Sequence, residues 1–507
     1  MSANILDRFA LMVAPRYGLT RLRARAAADH LLRHYEAAQG GRRTQGWTRN
    51  SFDANAVNRY ALQVLRDNAR DLVRNNPWAK AAQRVIANNV VGWGIVAKPR
   101  KDTAGTRALK QGAAAWKRWA ESTDCDTAGR HDFYGLQRIV MKCLAEAGEV
   151  IVRRYWKTAE EANGGIPLSI QVLEPDYLDP FHDAYELKGA VGYALQGIEF
   201  DLRGKRLAYW LWKNHPGAQY ILQRSSLIPE RVPAEEVLHI YRMDRPGQIR
   251  GVSWYAPCIL RMKDLDDFED ATLLRQKIAA CFAAFVRDVD GMSSAVGGTD
   301  PEDGTLETIE PGMVNYLAPG RDVTFASPPP VQEAEPYTKS VLRGIAMGLG
   351  VTYEQLTGDF SNVNYSSYRA GRLEFQRNVV ECQEDILIPH FCDPVWRWAM
   401  EAAVVGGIVG EVPQADWTPP AIPMLEPDKE GLAYMRNIRA GVQSLPEALR
   451  EQGRDPESHL AEIAESNKAL DDLGIILDSD PRKTTQVGNP RDRAPASGEG
   501  DTGNDKA

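Results

Sequence analysis

The chain of 507 residues has no apolar run long enough to cross a bilayer; the longest, around Ile278–Val286, is short and rich in alanine. No membrane partner is therefore expected. Its six cysteines, Cys125, Cys143, Cys258, Cys281, Cys382 and Cys392, never fall at CxxC spacing. So thin a scatter argues against a disulfide framework and for buried thiols. An excess of positive charge is also missing: 61 Lys and Arg face 68 Asp and Glu, a net of −7. That excludes a protein that coats nucleic acid through bulk charge. The N-terminus lacks a continuous apolar core before a cleavage site, so no secretory signal is expected.

Catalytic signatures are missing as well. There is no GxxxxGK[ST] phosphate loop and no HExxH. Gly251-Val252-Ser253-Trp254-Tyr255 begins like a nucleophile elbow but lacks the closing glycine. His131-Asp132 and His182-Asp183 are isolated pairs, read as surface or loop residues rather than metal ligands. The acids Asp264, Asp266, Asp267, Glu269 and Asp270 share one helix without a histidine, and read as a solvated face. No catalytic residue, cofactor or metal site is expected, and the pattern points away from an enzyme.

What the sequence does contain is a long order of segments. Residues 1–50 hold nine arginines, no lysine and three acids, +6 there and hence −13 elsewhere. They read as a basic arm, with a helix at Leu19–Tyr35, that docks on a neighbour or an acidic surface. Helical periodicity follows from Ala54 to Arg74, again from Pro77, and at Thr106–Glu121 and Phe133–Ala147. Strands are expected at Glu149–Trp156, Ser169–Leu173, Tyr193–Phe200, Arg206–Trp212 and Leu238–Tyr241. The second half reads as one long helix, Ser253–Val286, with Ser253 as N-cap. A Gly/Pro-rich insert comes next, with strands at Met313–Leu317 and Val323–Phe325. Then come a helix at Tyr337–Leu349, a polar loop at Gly358–Ser367, and a long helix from Arg369 to about Glu401 that Pro389 should kink. A Pro-rich connector (Pro413–Pro427) leads to short helices over Lys429–Leu473. The tail from Asp480 is too polar to fold. The fold class is α+β, mainly helical.

Several of these stretches carry a resemblance. They are Leu349-Gly350-Val351-Thr352-Tyr353-Glu354-Gln355-Leu356-Thr357-Gly358-Asp359, Asn364-Tyr365-Ser366-Ser367, Arg70-Asp71-Leu72-Val73-Arg74-Asn75-Asn76-Pro77 and Val90-Val91-Gly92-Trp93-Gly94, together with Gly247 to Trp254. The chain resembles the lambda-like family of tailed-bacteriophage portal proteins over roughly residues 35–475. The resemblance implies a homo-oligomeric ring of about twelve subunits at one capsid vertex, in the virion and in the host cytoplasm during assembly. Double-stranded DNA would enter and leave through it. Terminase, major capsid and scaffolding proteins, and later head–tail connector proteins, would be its partners. A head–tail adaptor or minor capsid protein is the alternative.

The resemblance divides the chain into an arm (1–50), an α+β wing (51–252), a first stem helix (253–287), a clip (288–336) and a second stem helix (337–357). A tunnel loop (358–368), a wing spine helix with its connector (369–428), a helical crown (429–478) and a disordered tail (479–507) complete it. Within it, Asp359, Ser361, Asn362, Asn364, Tyr365, Ser366, Arg369 and Arg372 would face passing DNA. Phe268, Ile278, Phe282 and Phe285 would pack the stem. A channel must not trap its cargo, because each neutralised phosphate adds salt-dependent affinity. Twelve chains at −7 would carry −84, and a lysine-free polar loop could centre DNA without holding it.

Overall fold

The computed structural model of the protein describes residues 51–100, 103–187, 192–218, 228–280, 284–288, 321–325 and 334–477, with a few residues nearer each end. Its contacts divide it into two units, 1–57 and 58–507. In the first, Asp53 Oδ1 accepts the Ala56 N–H at 2.9 Å and so starts a helical turn. Most of the expected basic helix at Leu19–Tyr35 and the tail beyond Lys483 lie outside the described residues.

The second unit begins with α1 (Leu62–Asn75) and α2 (Pro77–Val90). Asn76 separates them: its side chain accepts the Ala79 N–H at 2.9 Å, while Pro77 fills a position that needs no N–H. The continuous helix expected from Ala54 to Arg74 is broken between Asn58 and Leu62. Val57 and Val64 are exposed, whereas Ala69, Leu72 and Val73 are buried.

Helices α3 (Thr106–Ala120) and α4 (Phe133–Ala147) supply the centre of the core. Trp116 lies 5.0 Å from Phe133 and 4.8 Å from Trp396, ring centroid to centroid, and Phe133 stacks on Phe391 at 5.4 Å. The indole N–H of Trp119 donates to the Leu168 carbonyl at 2.8 Å and that of Trp396 to Pro413 at 2.7 Å, so these rings are buried without stranding their polar ends. Strand β1 (Val96–Pro99) pairs antiparallel with β11 (Ala415–Thr418), a strand hidden in the Pro-rich connector. It brings Trp417 onto the same aromatic cluster.

Two antiparallel sheets follow. In one, β2 (Glu149–Trp156) runs between β3 (Leu168–Leu173) and β8 (Val237–Tyr241). The other has the order β4 (Gly192–Leu195), β5 (Ile198–Asp201), β6 (Arg206–Leu211), β7 (Glu230–Pro233). The single strand expected at Tyr193–Phe200 is thus a hairpin. Gln196 and Gly197 turn it with φ of +50° and +82°, the backbone of a tight two-residue turn. A Cβ at Gly197 would sit 2.3 Å from the Asp179 carbonyl oxygen.

The long helix expected at Ser253–Val286 is shorter at both ends. Residues 254–258 are turns, and α5 runs only from Ile259 to Ala280. Ser253 Oγ accepts the Tyr255 N–H at 3.2 Å and caps that turn, not the helix. Beyond residue 283 the backbone becomes β9 (Ala284–Asp288), antiparallel to β10 (Arg321–Phe325). At Phe285, strand pairing overrides the expected helix. The expected strand at Met313–Leu317 lies outside the described residues.

Helix α6 (Ala334–Leu349) and the short α7 (Tyr353–Thr357) lead to α8 (Tyr365–Glu381), a π-helical stretch at Cys382–Cys392, and α9 (Asp393–Val405). Pro389 falls inside the π-helical stretch. The wider turns take up the proline without ending the helix. Three helices close the chain: α10 (Pro427–Arg439), α11 (Leu445–Glu451) and α12 (Pro456–Asp472). The molecule is α+β and mainly helical.

Candidate functional site

The loop between α7 and α8 is held at both ends. Thr352 and Gln355 form a capping box at the start of α7. Gly358 ends it in the left-handed region, at φ +72°. Asn364 Oδ1 then accepts the Ser367 N–H at 2.8 Å and starts α8. Only residues 358–364 are loop, and Tyr365 and Ser366 belong to the first turn of α8 rather than to the loop that the sequence suggested.

Inside the loop, Asp359 gathers the polar contacts. Its Oδ1 accepts the Ser361 N–H at 3.1 Å and the Ser361 hydroxyl at 2.5 Å; its Oδ2 accepts the Tyr353 hydroxyl at 3.1 Å. Lys339 Nζ is 4.0 Å away. Hydrogen bonds from Ser361 and then Tyr353 hold the Asp359 carboxyl below its ordinary value. Phe360 packs edge-on to Tyr368, 5.6 Å between centroids. Asn362 is exposed. The two arginines differ: Arg372 donates to the Pro423 carbonyl, whereas the Arg369 side chain forms no hydrogen bond or ion pair among the described residues. Both line a groove of about 520 Å³ between α8, the connector and the C-terminal helices.

Of the four residues expected to pack a stem, Phe268 sits on α5 with its ring centroid 4.7 Å from that of Tyr337 on α6. Ile278 lies on α5. Phe282 lies outside the described residues. Phe285 is on β9, its Cα opposite Thr324, and so is not a helix residue at all.

Sequence reading missed a buried charge network. Glu149, at the start of β2, accepts hydrogen bonds from Arg250 (2.6 Å to Nη2), Arg66 (3.0 Å), His239 Nε2 (2.9 Å) and the Gly251 N–H (2.9 Å). All four side chains are buried. Burial opposes ionisation of Glu149, but the Arg250 charge and the His239 and Arg250 hydrogen bonds outweigh it and hold the carboxyl well below its ordinary range. Burial drives His239 the other way, down to about 4, so the ring is neutral and Nε2–H donates. Two glycines make the approach possible. A Cβ on Gly148 would lie 2.2 Å from the Val252 carbonyl carbon, and one on Gly251 2.2 Å from the Gly148 oxygen. The legible signal is an acid directly before an apolar run at the start of a strand, Glu149-Val150-Ile151-Val152.

The isolated His-Asp pairs serve local structure: Asp132 caps α4 through the Gly135 N–H at 2.7 Å, and His182 stacks on Trp210 at 4.0 Å. Glu174, Asp176 and His215 bring ligand-type atoms within 4.8 Å of one another. Arg70 already reaches both carboxylates and Arg66 reaches Asp176, so a cation would have to displace guanidinium groups. Among the described residues no helix is long and apolar enough to cross a membrane.

A family model described as "Phage portal protein, lambda family" matches residues 40–383, more than half the chain. The chain belongs to this family. A probable portal protein of Halomonas phage phiHAP-1 is 27% identical over 474 residues, 88% of each chain. Portal protein B of Escherichia phage lambda is 25% identical over 382 residues, covering 68% of this chain and 70% of its own. A solved structure of the neck of an empty gene transfer agent particle aligns at a TM-score of 0.47, with 15% identity, over 76% of this chain and 94% of its own. The function is that of a phage portal, the connector between head and tail.

Proposed function

We propose that this portal protein works as a ring of about twelve copies at one vertex of the capsid, in the virion, after assembly in the host cytoplasm. DNA passes through the ring during packaging and ejection. The wing is residues 51–252 with the spine 369–428, α5 and α6 are the stem, and the insert between them is the clip. The clip begins at β9 rather than at residue 288, because the chain leaves helix before that point. It docks terminase and then the connector proteins, while capsid and scaffolding proteins meet the wing. Residues 429–478 are the crown. The observation that carries this reading is the pairing of α5 with α6 at the foot of a two-stranded insert, with Phe268 against Tyr337. A Gly/Pro-rich insert between two packed helices suits a docking element.

The loop 358–364 lines the tunnel in this reading. Its hydroxyls, amides and carboxylate offer weak, uncharged or repulsive contacts to phosphate, and Arg369 and Arg372 lie at its edge. Negative-stain images of purified protein test the assembly. An annulus of about twelve subunits with a central hole is expected; a monomer or an annulus without a hole contradicts it.

A further inference from the structure

The three C-terminal helices differ from the rest of the unit in what they bury. Helix α10 buries no residue, α11 only Ala448 and α12 only Pro456. Yet large apolar side chains stand exposed on them and just after: Leu432, Val442, Leu473 and Ile476 are each at least 46% exposed. Isolated helices of this length are marginal in water, and exposed apolar clusters mark contact surfaces.

The charges beside those apolar groups are opposite in sign and unused. On α10, Leu432, Arg436 and Arg439 recur at i, i+4 and i+7, one stripe of the helix. On α12, Glu462, Glu465 and Asp472 recur at i, i+3 and i+10, again one stripe, ending at Leu473. Among the described residues Arg436, Arg439, Glu465 and Asp472 form no ion pair, and Glu462 faces only His459, at 3.8 Å. Several other charges nearby are spent inside the chain, while Asp428 on α10 and Lys468 on α12 form no ion pair among the described residues. Lys98 binds Asp455 and Glu457, and Arg482 and Lys483 bind Asp471.

We propose that the acidic stripe of α12, with Leu473 and Ile476, docks on the basic stripe of α10, with Leu432 and Val442, of a second copy of this chain. The occupant is a second copy because both halves of the match are on one chain, on different helices. Two unlike patches that fit each other form a heterologous contact, and repetition of such a contact generates a ring. The proposal rests on the ring reading above and assigns it a crown-to-crown contact.

The test compares four proteins by negative stain and sedimentation: wild type, Arg436→Glu/Arg439→Glu, Glu462→Arg/Glu465→Arg, and all four changes in one chain. All four positions are exposed, so circular dichroism should be unchanged. Each double variant should weaken every contact by roughly tenfold, turning two attractions into repulsions, and should lose closed rings. The fourfold variant should regain them. Rings that persist in both double variants, or a fourfold variant no better than the doubles, would overturn the contact while leaving the portal reading intact. A wild type that forms no ring would overturn that reading and this contact with it.

Discussion

The centre of the proposed wing and the C-terminal helices, the proposed crown, are opposites. In the wing, α4 buries nine of its fifteen residues, the aromatic cluster is closed on several sides, and even a carboxylate is buried with its partners supplied. In the crown, α12 spans seventeen residues and buries one. The difference separates a region whose sequence satisfies itself from one that, under the proposed contact, finds its partners on another molecule. In the first, changes should cost stability; in the second, they should cost assembly.

The largest effect should come from breaking the wing's charge network. Glu149→Ala leaves Arg250 buried without its anion and Arg66 with Asp176 alone, and should lower unfolding free energy by about 3–5 kcal/mol, read by urea denaturation. Full stability in that variant would mean the wing does not depend on the network. Trp116→Ala should cost a similar about 3–5 kcal/mol through the cavity it opens between Phe133 and Trp396.

Acid should weaken the same region. The unfolded chain takes up a proton on His239 near 6.5, while the folded ring stays neutral until about 4. Unfolding is therefore favoured progressively as pH falls from 6.5 towards 4. The stabilisation from Glu149 is present above its ordinary value of 4.5 and is lost as pH falls through its depressed folded value, so both groups act in the same direction. His239→Gln should flatten the pH dependence between 6.5 and 4, whatever it does to absolute stability; an unchanged slope would assign the acid sensitivity elsewhere.

At the loop the effect should be smaller. Asn364→Ala removes the cap of α8 and should cost about 1 kcal/mol. The smallest effect on the wing should follow from truncation before Pro456: its melting temperature should hardly move, while rings are lost. A large drop in that temperature would show that the crown supports the wing within one chain.

Much of the fold could be read from periodicity. Helices at Phe133–Ala147 and Tyr337–Leu349 and the strand at Glu149–Trp156 stand where the sequence places them, within a few residues. The misreadings share a cause: each needed information from a distant segment. Phe285 continues a helical period, and only its pairing with the 321–325 strand makes it β. Residues 415–418 look like connector until β1 pairs with them. Gln196-Gly197 is a weaker turn signal than Asn-Gly, and the hairpin there was read as one strand. In the candidate site, the loop's polar character was legible. The ties that hold it, Asp359 to Ser361 and Tyr353 and Asn364 to Ser367, depend on geometry. Of the Glu149 network only the acid itself was legible, because its side-chain partners lie 83 to 101 residues from it in sequence.

Amide hydrogen exchange on assembled rings and on dissociated subunits bears most directly on the contrast between the two regions. The account predicts equal, strong protection of α4 and β2 in both states, and protection of α12 and residues 473–477 only in the ring. Protection of α12 in the lone subunit equal to that in the ring would contradict it.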